Sequence, residues 1–207
     1  MLFRSDSKYD LYLAGKVELS PAEMRGLKLF NDKKRANCAA CHPSTKDEHG
    51  GAPLFTDFTY DALGLPRNEA IAANINKSYF DLGLCTSGRE SRASKVSECG
   101  KFKVPTLRNV ATRKVFFHNG QIKSLREAVA FYIRRDTHPH EWYPIVNGTV
   151  QKFNDLPKSY HKNITIDEAP YDRKLGQQPV LSEQDIDDVV AFLHTLTDGY
   201  RESQRQK

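Results

Sequence analysis

Cys38-Ala39-Ala40-Cys41-His42 carries more information than any other five residues of this chain. Thiols at i and i+3 reach the two vinyl groups on one edge of a porphyrin and form thioethers, and the imidazole next in the chain is then held beneath the iron as proximal ligand. The spacing predicts covalently attached haem c, with Cys38 and Cys41 as attachment points and His42 on the iron. The rival reading is a zinc or redox Cys-x-x-Cys. A structural zinc site usually needs a second ligand pair at similar spacing. Cys85 and Cys99, the other two of the 4 cysteines, stand too far apart to copy the first pair.

Composition bounds the surroundings. At 207 residues the chain suits a single core with elaborations, on a prior of about 100 to 200 residues per domain. With 39% hydrophobic and 28% charged residues it is polar for its size. A buried porphyrin would supply part of the missing apolar content, so the haem-free form is expected to be unstable. No window approaches the roughly 18 consecutive apolar residues of a membrane span, which predicts no transmembrane segment. The opening Met1-Leu2-Phe3-Arg4-Ser5-Asp6-Ser7 lacks the apolar core of a secretory signal. Haem attachment and paired cysteines nevertheless point to an oxidising compartment outside the cytoplasm. The expectation is therefore a periplasmic protein whose start is processed or truncated.

Cys85 and Cys99 are expected to close a loop of about 15 residues, worth roughly 3 kcal/mol in the chain-entropy model; the alternative is two free buried thiols. The net charge of +5 suits an acidic redox partner or an anionic surface. It is too modest for nucleic acid, and no Lys/Arg cluster with interleaved aromatics supports that reading.

Three helices are signalled by local chemistry. Ser20-Pro21-Ala22-Glu23 offers an N-cap, a proline suited to the first turn and a capping-box carboxylate. The helix it starts should run through Met24, Leu27 and Phe30 and stop before Asn31-Asp32. Gly26 lies on its Phe30 side, where a second helix can approach closely. The natural partner is the segment capped by Ser182-Glu183-Gln184-Asp185, with Ile186, Val189, Val190 and Leu193 on one stripe. Two terminal helices crossing over a haem is a cytochrome c arrangement. Ser124-Leu125-Arg126-Glu127 is a third capping box, with Leu125, Ala128, Val129 and Tyr132 on one face. Pro-, Gly-, Asn- and Asp-rich stretches from Pro43 to about Pro66 and from Asp136 to Leu181 read as long loops that wrap a haem edge or a partner surface. The expected class is all-α: a cytochrome c-like haem domain over 19–200 with long irregular loops, preceded by a connecting segment over 1–18 and followed by a polar tail over 201–207.

The far side of the iron is harder to assign. Methionine is the usual distal ligand of an electron-transfer cytochrome c, but Met1 is the terminus and Met24 is poorly placed on the helix before the haem motif. That leaves Tyr132, one of His49, His118, His138, His140, His161 and His194, or an open position. His194 at a helix end reads as a C-terminal cation, His138 and His140 as solvated loop residues. Tyr132 on an apolar face is by default a core tyrosine whose hydroxyl finds a hydrogen-bond partner.

Several ordered motifs then carry a resemblance. Phe102-Lys103-Val104-Pro105-Thr106-Leu107-Arg108-Asn109-Val110-Ala111, Phe116-Phe117-His118-Asn119-Gly120 and Leu125 to Tyr132 resemble the C-terminal haem domain of the bacterial di-haem cytochrome c peroxidase family, which includes the MauG-like enzymes. The likeness extends through Leu19-Ser20-Pro21-Ala22-Glu23, Cys38 to His42, Phe55-Thr56-Asp57-Phe58, Trp142-Tyr143-Pro144 and the segment from Leu181 to Gly199.

The resemblance implies a function and a set of sites. In the peroxidases the position matching Tyr132 is a methionine, and in the MauG-like branch it is a tyrosine bound to a low-spin haem. Tyr132 is accordingly the expected distal ligand, and a phenolate there would favour ferric iron. Arg108 is expected either to hold a haem propionate or to anchor a loop. His118 is expected near the haem or in a structural bond to backbone. Trp142 reads as a packed aromatic, with a stepping stone for electron holes as the alternative. A calcium site would use backbone carbonyls at Arg113 and Val115, which replace the family's usual Thr and Pro.

Family members carry two haem motifs and this sequence has one. The expectation is an electron-transfer domain that takes electrons from a small cytochrome or cupredoxin and passes them to a haem, in a missing N-terminal half, that reacts with hydrogen peroxide. A stand-alone single-haem electron carrier is the alternative.

Overall fold

The computed structural model describes residues 6–86 and 95–201, so residues 1–5 of the expected connecting segment and 202–207 of the expected tail lie outside it. Two compact units divide the chain. The first comprises Met1–Asp57, Pro105–Lys114 and Leu181–Lys207, and the second Phe58–Val104 and Val115–Val180.

The first unit is built on helix pairing. Helix α1 spans Lys8–Leu13 and α2 spans Pro21–Asn31, where Ser20 and Glu23 form the capping box their spacing predicts. The second helix runs one residue further than expected because Asn31 is held in register, its side chain donating to Leu27 O at 2.8 Å. The C-terminal helix of the chain, described below as α4, spans Glu183–His194 and has its own Ser182/Asp185 capping box. Gly26 lets α2 and this helix touch: a Cβ at Gly26 would meet the carbonyl oxygen of Asp188 at 1.9 Å. Arg25 locks the crossing with two bonds to the Asp188 carboxylate, at 2.6 and 2.8 Å. Beneath it, Phe30 and Phe192 meet edge to face at 5.1 Å, and Tyr9 and Phe55 close on the same pair. Residues 8–13 thus do more than connect, since Tyr9 is 3% exposed in this core and its hydroxyl donates to Ser44 O at 3.0 Å.

The second unit corrects the all-α expectation. Helix α3 spans Leu125–Arg134, but strands β1 (Tyr60–Asp61) and β2 (Phe102–Lys103) pair antiparallel, and so do β3 (Ile145–Val146) and β4 (Thr149–Val150). Among the described residues of the whole chain the rest is short 3-10 turns and irregular backbone. The physical reason is that buried side chains, rather than helical ladders, satisfy the loop carbonyls. Arg135, fully buried, donates to Leu63 O at 3.0 Å and to Thr165 O at 2.8 Å while its guanidinium lies over the Tyr171 ring. Arg67 reaches Tyr79 O at 2.8 Å, and Tyr143, its phenol pushed well above the usual range by burial, donates to Gly64 O at 2.6 Å. Cys85 and Cys99 are joined as a disulfide, as the loop length suggested.

Helix α3 also departs from its expected face. Ser124 caps it by accepting from Glu127 N at 3.1 Å, but Glu127 accepts from Lys123 N instead of returning to Ser124. The most buried residues are Ala128, Ala130, Phe131 and Ile133, because Phe131 packs edge-on against Trp142 and Phe117. Leu125, Val129 and Tyr132 are left half-buried.

Candidate functional site

Cys38 to Ala40 form a single 3-10 turn entered through Asn37 in the left-handed region, at φ 51°. His42 N closes the turn on Cys38 O at 2.9 Å, so the two sulfurs and the imidazole issue from one tight loop. His42 Nδ1 lies 2.7 Å from the carbonyl oxygen of Phe55. A carbonyl only accepts, so Nδ1 carries the proton and the neutral ring has its lone pair on Nε2. A histidine that ligates a metal through Nε2 has this arrangement: the second ring nitrogen donates to a fixed oxygen that sets the tautomer and orients the ring. The residues present therefore fit a haem-bound histidine.

The Cys38 thiol is not tuned for redox exchange. Cys38 as a residue is half-buried, yet desolvation of its sulfur pushes the thiol up to about 12. A redox Cys-x-x-Cys depends on the opposite shift, towards thiolate. Among the described residues no group of three or more His, Cys, Asp and Glu side chains gathers as a metal site, so none supplies the second ligand pair that a structural zinc would need.

Arg108 belongs to the same unit and is 4% exposed. Its Nε donates to Pro53 O at 2.9 Å, and its two terminal nitrogens hold the Asp10 carboxylate at 2.8 and 2.9 Å. Thr106 Oγ1 donates to Leu54 O at 2.6 Å. Asp10, Thr106 and the carbonyl of Phe55 were not singled out by sequence. Phe55 and Thr106 carried a signal only as members of the Phe55-Thr56-Asp57-Phe58 and Phe102-to-Ala111 motifs; Asp10 carried none.

His118 and Tyr132 lie in the second unit. The His118 ring stacks on Phe102 with centroids 3.4 Å apart, and its Nε2 is 3.4 Å from Asp155. Asp155 also accepts from Asn119 at 2.9 Å and faces Arg67 at 3.6 Å, so the exposed His118 lies at the rim of a buried polar cluster. Tyr132 sits on α3 among Phe117, Phe131 and Tyr171, with ring centroids 5.4, 6.4 and 6.1 Å away. The other histidines have partners of their own or lie at the surface, with His140 exposed and its ring 6.0 Å from that of His138. His161 bonds to Leu156 O, His138 to Thr137, His49 is exposed beside Glu48, and His194 is exposed at the end of α4.

Comparison with known proteins decides what this geometry belongs to. The methylamine utilization protein MauG of Paracoccus denitrificans is 33% identical over 199 residues, which are 93% of this chain and 46% of that protein. The cytochrome c551 peroxidase of Pseudomonas aeruginosa is 28% identical over 200 residues, 95% of this chain and 40% of that protein. The solved diheme peroxidase BthA of Burkholderia thailandensis superposes with a TM-score of 0.86 at 42% identity, covering 94% of this chain and 46% of BthA. The chain belongs to the di-haem cytochrome c peroxidase and MauG family. No protein-family model matches it. It spans less than half the length of these relatives. Relatives of this kind imply haem c as the cofactor. No helix among the described residues is long and apolar enough to cross a membrane.

Proposed function

We propose that this chain is an electron-transfer haem domain of a hydrogen peroxide-using oxidoreductase. The observation that carries the reading is the bond from His42 Nδ1 to Phe55 O, which presents Nε2 of a histidine directly after Cys-x-x-Cys. When bound, the haem supplies one-electron redox chemistry. Cys38 and Cys41 would anchor it covalently, His42 would ligate its iron, and Tyr132 is the further ligand that the family motif suggests. Support for Tyr132 comes from the MauG-like motif around it and from its place at the end of the half-buried stripe Leu125, Val129 and Tyr132. A phenolate oxygen there matches the higher charge of ferric iron and lowers the reduction potential relative to methionine.

A haem so ligated would relay electrons, and a second haem would react with peroxide. The donor is a small acidic cytochrome or cupredoxin, complementary to the net charge of +5. The compartment is the periplasm, in keeping with haem attachment and the Cys85–Cys99 disulfide. Calcium at Arg113 and Val115, a propionate contact from Arg108 and a haem-side role for His118 remain secondary parts of the proposal, drawn from family resemblance alone.

The lone haem motif favours a second reading, a single-haem carrier. Stopped-flow mixing of the haem-loaded 207-residue chain tests both. The proposal expects reduction by a small redox protein and no peroxide turnover by the chain alone. It also expects turnover when a partner haem domain is supplied, an outcome the carrier reading excludes. Peroxide turnover by the chain alone contradicts both readings.

A further inference from the structure

We infer that Arg108 and Thr106 are positioning residues for the His42 imidazole, acting through the backbone of residues 53–55. Three consecutive carbonyls are each taken by a different side chain. Arg108 Nε donates to Pro53 O at 2.9 Å, Thr106 Oγ1 to Leu54 O at 2.6 Å, and His42 Nδ1 to Phe55 O at 2.7 Å. The loop is tied to the haem motif a second time, since Asp57 N donates to Cys41 O at 3.0 Å.

The clamp is rigid at its far end. Each of the three Arg108 nitrogens holds a protein oxygen, two of them on the Asp10 carboxylate of α1. Phe55 stands at φ 51° with its side chain fully buried. A bulky residue adopts that conformation only where its surroundings over-determine it. Here the left-handed turn directs the Phe55 carbonyl to His42, and the bonds to Pro53 O and Leu54 O stop the preceding peptides from rotating to relieve it. An N–H bonded to a fixed carbonyl makes the other imidazole nitrogen a more basic ligand. The clamp thereby favours ferric iron over ferrous.

The inference rests on His42 being the haem ligand, and the test separates the two. Thr106→Val removes the hydroxyl at nearly constant volume, and Arg108→Lys keeps the charge but loses the fork. In the haem-loaded chain both substitutions should raise the reduction potential. Together they should change the ferric-to-ferrous equilibrium about tenfold, or roughly 59 mV for one electron. The His42 Nδ1 proton should exchange with solvent faster in each. Arg25→Gln, which breaks the Arg25–Asp188 pair on α2, should lower the melting temperature and leave the potential and the exchange rate alone. An unchanged potential and exchange rate in Thr106→Val, whatever the folding of Arg108→Lys, overturns the inference and leaves the clamp a structural feature. Absence of covalent haem by mass would overturn the haem reading, and the inference with it, whereas an unchanged potential in the haem-loaded chain overturns the inference alone.

Discussion

His42 Nδ1 and the Phe55 carbonyl oxygen are 2.7 Å apart, and the residue that offers that oxygen is itself fully buried. Phe55 is thus both a ligand-orienting peptide and a wedge between Tyr9 and Phe30. Phe55→Ala keeps the peptide but empties the ring site. Urea unfolding should show a loss of about 3–5 kcal/mol.

Gly26 is the contact point of α2 and α4. Alanine there gains up to about 1 kcal/mol of helix propensity but forces its methyl to within 1.9 Å of the Asp188 carbonyl oxygen. Backbone cannot yield as a flexible side chain does, so overpacking should win. Gly26→Ala should destabilise by about 2 kcal/mol, read from the urea midpoint.

Arg135 carries the irregular part of the second unit. Its guanidinium holds Leu63 O, Thr165 O and the Asp136 carboxylate with no exposure to solvent. Arg135→Met fills similar space but strips all three acceptors of this donor. The expected loss is about 3–5 kcal/mol, the usual result of removing one partner from a buried charged pair.

Asp188 sets part of the acid limb. Its hydrogen bonds from Arg25 hold the carboxyl below the usual aspartate range in the folded protein. A depressed folded value contributes stability above the unfolded value, about 3.9, and loses it as pH falls through the folded one. Urea midpoints at pH 7 and pH 3 should therefore differ more for the parent than for Asp188→Asn. An equal drop in both would show the pair to be inert.

The parts of this fold that sequence disclosed are those written in adjacent residues. Ser20 with Glu23 and Ser182 with Asp185 form their boxes because a capping box spans only four consecutive residues, and Gly26 marks a close crossing because only a missing side chain permits one. The strands were not legible, since a pair such as Tyr60–Asp61 with Phe102–Lys103 is too short to show a period of two. Nothing local in the sequence marks Arg67 and Arg135 for burial, because the carbonyls they serve lie 7 to 12 and 30 to 72 residues away. At the candidate site the haem motif was plain. The partner of His42, 13 residues on, was not, because a backbone carbonyl leaves no mark in side-chain identity.

The central proposal is that His42 ligates a relay haem and that Tyr132 supplies a further ligand to it. It is tested most directly by the paramagnetic resonance and visible spectra of the ferric, haem-loaded chain and of Tyr132→Phe. The account predicts a six-coordinate low-spin signal in the parent that becomes high-spin in the variant. A low-spin spectrum left unchanged by Tyr132→Phe would contradict it.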